Sequence, residues 1–274
     1  MVRLFPLCLE ARIYLTLEMI RREKNSGWIL IAQHDHSGLS GQVMTHWGND
    51  EFSKPEPCDE VLFALKEHDS GWREWDSLPK INPETGYPAN FTEMSISDQC
   101  EIWSRCYKPY AAAHPYASCL IALHFSKFNQ SNIRKDPDNE QAKSLGLSIK
   151  KFVAEKLNIG ISNAGLENIP DDVRTNLKLL QIGDIISLTL CHGWRSIEIT
   201  EAPFGYNGSE TTLKVESQDG FNYKIAPYPF HESGLKFNIK VKELDKKSFP
   251  DDRELRATLK ASKDEILDFT IRKG

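Results

Sequence analysis

The sequence predicts an α+β fold, a helical body followed by an antiparallel sheet that the C-terminal segment forms with an N-terminal hairpin. Three observations predict it. Between about residues 32 and 193 apolar residues recur at helical spacing. After Trp194 they alternate with polar ones, so the period changes from that of a helix face to that of a half-buried strand. Near the start, two short apolar runs at 19–22 and 28–31 flank Asn25-Ser26-Gly27 and read as a β-hairpin. The expected division is a candidate N-terminal extension at 1–18, a helical domain with its hairpin at 19–193, and a β-rich part at 194–274.

Each element has its own signal. His36, Leu39, Ser40, Val43 and Trp47 form a helical stripe that stops at Gly48-Asn49. A second helix is expected over 58–75, with Val61, Leu65, His68, Asp69 and Trp72 facing inward. The Pro/Gly/Asn-rich stretch 78–90 is turn chemistry. A third helix covers 97–107, and His114-Pro115 opens a fourth, Pro suiting a first helical turn. Residues 130–139 are polar and read as a loop or junction. Residues 140–157 are amphipathic. Pro170-Asp171-Asp172 places acids in the first turn of a helix running to about Cys191. Strands are expected at 195–200 and 211–216, and after the Asp219-Gly220 turn. Leu235, Phe237, Ile239 and Val241 alternate in a further strand. A short helix at 251–261 and a strand at 266–271 finish the chain.

The chain has 274 residues, enough for a sizeable core. Its net charge is −5, so no global basic field recruits nucleic acid or an anionic membrane. No apolar run approaches the ~20 residues of a membrane span. The six cysteines form no CxxC pair, which argues against a zinc ribbon or redox dithiol and fits a reducing cytoplasm. Oligomeric state is left open.

Five polar residues interrupt apolar helical faces: His36, His68, Asp69, His124 and Asp184. Burying such groups unsatisfied costs several kcal/mol, and one divalent cation would satisfy them together. Imidazoles with carboxylates suit Mn, Fe, Ni, Zn or Mg, as one ion or two. The competing readings are ordinary. His68-Asp69 is a helix surface pair, His124 a core histidine bonded to a carbonyl, and Asp184 a polar seam after Gly183. Trp72 reads as a pocket wall or as core. Arg73 and Lys127 read as anion holders, with a solvated face as the simpler alternative.

The order His, His-Asp, Asp resembles the metal site of the HD-domain phosphohydrolase superfamily, with His36, His68, Asp69 and Asp184 as the matching positions. A closer resemblance is to the uncharacterised family known as domain of unknown function 3891. It is carried by Gln33-His-Asp-His-Ser-Gly-Leu-Ser-Gly41, Glu67-His-Asp-Ser-Gly-Trp72, His114-Pro-Tyr116, Leu123-His-Phe125 and Gly183-Asp-Ile-Ile-Ser-Leu188. It runs from about residue 19 to the end. The HD resemblance implies an HD-like all-helical bundle and a water activated by metal, with His68 and Asp69 at the centre of catalysis. A two-metal version needs about six ligands, recruiting His124 and either His34 or His114. The usual Lys or Arg just after His-Asp is absent; Ser70-Gly71-Trp72 stands there, with Arg73 next. The function expected is metal-dependent hydrolysis of a small molecule, phosphorylated or not. The alternatives are a di-iron oxygenase of the same type, or a non-catalytic binding or scaffold protein with a buried polar network.

Overall fold

A computed structural model describes residues 2–4, 19–90, 93–162, 165–206 and 208–274. Of the candidate extension 1–18, only the short strand β1 (Val2–Leu4) falls within them; the rest, Cys8 included, lies outside the described residues. The hairpin is β2 (Ile20–Lys24) and β3 (Gly27–Ile31). The helices then follow as α1 (Gln33–Met44), α2 (Cys58–Glu67), the short α3 (Arg73–Ser77), α4 (Ile96–Tyr107), α5 (Pro115–Lys135) and α6 (Glu140–Leu157). A two-residue pair, β4 (Ile161–Ser162) and β5 (Gly165–Leu166), precedes α7 (Asp171–His192). The chain ends with β6 (Ser196–Phe204), β7 (Ser209–Ser217), β8 (Asn222–Ala226), β9 (Leu235–Leu244), α8 (Asp252–Ala261) and β10 (Asp264–Lys273).

The expected HD-like all-helical bundle with an attached antiparallel sheet is corrected by the topology. The sheet is large, curled and mixed, in the order β1-β6-β7-β8-β10-β9-β3-β2. β10 runs parallel to β8 and antiparallel to β9, and β1 runs parallel to β6. The hairpin does join the sheet, through β3 against β9. Period-2 alternation says which face of a strand is buried but not which strand lies beside it, so the mixed pairing had no signal in the sequence.

Alternation also explains how the sheet serves two cores. β3 is buried at every residue. Ile29 and Ile31 face the main core, whereas Trp28 and Leu30 face a smaller one with Leu244, Phe249 and the α8 residues Leu255 and Leu259. In β9, Leu235, Phe237, Ile239 and Val241 are buried and the lysines between them face out. The main core is continuous from helices to sheet, taking in Leu39, Leu65, Leu120 and Leu180 together with Ile197, Val215 and Ile239. Helices α1 and α7 pack on each other and on the sheet, α2 and α5 lie against them, and α4 and α6 close the outside. Among the described residues no helix is long and apolar enough to cross a membrane.

Two helix boundaries differ from the sequence reading. The stretch read as a loop or junction at 130–139 carries α5 on to Lys135, the junction being only 136–139, and Asn139 then caps α6 by accepting from the Ala142 N–H. The helix read over 58–75 breaks at its most interesting point. His68 is the C-cap of α2, and Asp69 leaves the helix at φ −102°, ψ 18°. A tight turn, Ser70–Trp72, precedes α3. Gly71 accounts for the break: a Cβ there would lie 2.5 Å from the Ile102 carbonyl oxygen and 2.8 Å from Cys106 Sγ, so only glycine lets this turn press onto α4.

Candidate metal centre

The break in α2 aims His68 and Asp69 at one place. His36 comes to that place from α1 and Asp184 from the middle of α7, and all four residues are buried. His36 Nε2 lies 3.0 Å from Asp69 Oδ2 and 3.4 Å from Asp184 Oδ1. His68 Nε2 lies 3.5 Å from each of the same two oxygens. Ligand atoms about 2.1 Å from one cation stand about 3.0 Å apart along an octahedral edge and about 3.4 Å along a tetrahedral one. Two of the four distances lie in that range and the other two exceed it by about 0.1 Å. Nitrogen or oxygen atoms of His36, His68 and Asp184 all lie within 4.8 Å of one another, a group that does not include Asp69, which reaches it through the two imidazoles.

Hydrogen bonds behind the rings fix which nitrogen each presents. His68 Nδ1 is 2.8 Å from the Leu65 carbonyl oxygen, which can only accept, so Nδ1 carries a hydrogen. His36 Nδ1 is 2.8 Å from Ser187 Oγ. That hydroxyl gives its one hydrogen to the Asp184 carbonyl oxygen, 2.8 Å away, and so accepts from His36 Nδ1. In their neutral forms both rings therefore turn a bare Nε2 lone pair towards carboxylate oxygens. Lone pairs facing at these distances repel unless a cation, a proton or a metal ion, lies between them.

Electrostatics agree with a site built for positive charge. Burial opposes charging His68, yet the Asp69 and Asp184 carboxylates outweigh it and push the ring up to about 9. Burial would raise Asp184, but His68 above all, with His124 and His36, brings it down to about 2.

His124, from α5, stands at the edge of this group. Its Nε2 is 3.6 Å from the other Asp184 oxygen, Oδ2. Its Nδ1 is buried without a hydrogen-bond partner among the described residues. Burial, only partly opposed by Asp184, takes its pKa down to about 4, so the ring is neutral. The remaining sequence candidates go elsewhere. His34 Nε2 meets Arg73 Nη2 at 2.6 Å, and Arg73 also pairs with Glu67 at 3.2 Å. His114 stacks on Phe63 and meets Glu60 at 2.9 Å, at the opposite end of α2 from His68, about 12 Å along the axis. Trp72 is packed in the main core.

Sequence reasoning missed Ser187, whose signal was its spacing: three residues after Asp184 it shares that helix face. It also missed Glu67, buried beside His68, where it accepts from Tyr110 at 2.9 Å. Asp76 was missed as well. It accepts from the Gln33 N–H at 3.0 Å and so anchors the start of α1, and burial pushes its carboxyl up to about 8.

Residues 19–246 match the family described as protein of unknown function, DUF3891, a span that stops short of β10. No curated protein and no solved structure matches the chain. The match takes in every element that contributes to the centre, and the chain belongs to the DUF3891 family.

Proposed function

We propose that the chain is a metal-dependent hydrolase of a small molecule, its cation held by His36, His68, Asp69 and Asp184. One observation carries the reading: two imidazole Nε2 atoms, each the nitrogen left bare in the neutral ring by a bond behind it, face two carboxylate oxygens at 3.0–3.5 Å. Two nitrogens and two oxygens fit Mn, Fe, Ni, Zn or Mg. The ligand order His, His-Asp, Asp is also that of HD-type sites, which supports the reading at the level of the donor set. A divalent cation there would supply Lewis acidity, lowering the pKa of a water and polarising a phosphoryl or carbonyl oxygen. The chain's own part is to hold the Nε2 atoms of His36 and His68 towards the carboxylates and to keep Asp184 ionised. Neutral His124 lies against the far oxygen of Asp184.

A second reading has an observation of its own. Asp69 and Asp184 hold His68 cationic up to about 9, so a proton can satisfy the same groups as a buried ion-pair network without catalysis. Metal analysis separates the two. Protein purified without chelator is expected to hold about one equivalent of a transition metal, which His68→Ala and Asp184→Ala lose. Phosphomonoesters and nucleotides, screened with Mn or Ni, should then reveal a turnover that His68→Ala and Asp69→Ala abolish. Trace metal alone, with no uptake of Mn, Ni or Zn, would discard the hydrolase and leave the network.

A further inference from the structure

A cleft of about 890 Å3 opens between α5, α6 and α7, bordered by Pro203 of β6 and Glu210 of β7. It sits beside the candidate metal centre, since Lys127 and Gln181 in its wall are one helical turn from His124 and Asp184. Five cationic side chains line it: Lys127, Lys143, Lys150, Arg174 and Lys178. Two carboxylates, Glu201 and Glu210, oppose them, in a chain whose net charge is −5. A cationic concavity on an anionic protein concentrates anions.

The pairing inside the cleft is incomplete. Lys178 is neutralised by Glu201 at 2.6 Å, Lys143 by Glu140 at 2.9 Å, and Arg174 donates to the Ile169 carbonyl oxygen at 3.0 Å. Among the described residues, half-buried Lys127 hydrogen-bonds only the neutral Gln181 amide oxygen, at 3.1 Å. Lys150 has no partner among the described residues. Burial, reinforced by the charge of Lys178, brings the Lys127 pKa down to about 8, the response expected of an ammonium lacking a counter-ion. Glu201 holds a left-handed backbone, φ 56°, at the irregularity between Ile199 and Ala202. Such a conformation is uncommon for a residue other than glycine, and such outliers cluster at binding sites. Here it occurs where Glu201 engages Lys178 and leaves Lys127 unpaired. Part of the wall is apolar, with Ile133, Ile169, Leu177 and Leu147 in it, and Leu147 is 51% exposed.

We propose that this cleft binds a small organic anion, its phosphate or carboxylate towards Lys127 and Lys150 and its apolar body against Leu147 and Ile133. The site is independent of the metal reading, so its test uses full-length protein stripped of metal with a chelator. The probe is 1-anilinonaphthalene-8-sulfonate, followed by its fluorescence, with 1-naphthyl phosphate and 1-naphthoate as competitors. Saturable binding with one site per chain is expected, weakening as salt rises and displaced by a naphthyl anion. The competitor that displaces it at lower concentration identifies the head group. Lys127→Gln and Lys150→Gln are each expected to weaken binding about tenfold; Lys150 has no partner to lose, so its variant keeps the wild-type melting temperature. The proposal is overturned if neither competitor displaces the probe, or if both variants bind as the wild type does.

Discussion

Ser187 decides which nitrogen His36 offers to its neighbours. With the hydroxyl hydrogen committed to the Asp184 carbonyl, Oγ can only accept from His36 Nδ1. Outer partners of this kind orient a ligand ring, and their loss typically costs 10–100-fold in metal affinity. Ser187→Ala is therefore expected to weaken metal binding by about that factor and, by leaving the buried His36 Nδ1–H without an acceptor, to cost about 1–3 kcal/mol of stability; unchanged affinity in a chelator competition would contradict it. His68 adds a pH dependence. Its ring is held protonated up to about 9, whereas a ligand must be deprotonated. Metal uptake then has to expel one proton. Affinity should rise about tenfold per pH unit through neutrality and level off near pH 9, and calorimetry in two buffers should count one proton released. No proton released at pH 7 would show that His68 is not a ligand. The five polar interruptions of apolar faces were legible in the sequence because an unsatisfied buried imidazole or carboxylate is costly. Ser187 was not, because a buried serine on a helix is cheap and common. His34 and His114 show the converse: their side chains are satisfied by Arg73 and Glu60, partners that no local pattern announces.

At the scale of elements, the centre depends on how closely three helices approach. Gly183, the residue before Asp184, has no room for a side chain: a Cβ there would lie 2.5 Å from Leu65 Cδ2, 2.7 Å from Met44 Cγ and 2.9 Å from Ser40 Oγ. Those atoms belong to α2 and α1, which carry His68 and His36. Gly183→Ala forces these side chains or α7 itself to shift, and overpacking of this kind typically costs about 1–3 kcal/mol. The expected outcome is a lower denaturant midpoint together with a loss of metal affinity, since Asp184 moves with the helix. A variant as stable and as tightly metal-binding as the wild type would mean that the neighbours yield. Helix positions were readable because the 3.6-residue period is a local signal, with which the caps Ser95, Asn139 and Asp251 agree. The break after His68 was not, because it depends on Gly71 meeting the carbonyl of Ile102 in α4, far along the chain.

For the whole molecule, the strand that holds the sheet together is the last one. β10 lies between the β6-β7-β8 group and the β9-β3-β2 group, bonded in parallel to one and antiparallel to the other. Its Leu267, Phe269 and Ile271 are buried, two of them at 1% exposure or less. Three such side chains contribute about 1.5–3 kcal/mol each, against a total stability of about 5–15 kcal/mol for a typical protein, and both ladders of hydrogen bonds go with them. None of the candidate ligands lies beyond residue 184, so a purely local view would let the chain end early without harm. The topology predicts otherwise. Helices α1 and α7, which carry His36 and Asp184, rest on the sheet and share one core with it. A chain ending at Ser262 is therefore expected to lose cooperative unfolding and metal binding together, although every ligand is present. Circular dichroism melts and metal content of the shortened chain check this; a cooperative transition with metal retained would show that the helices hold the centre without the sheet.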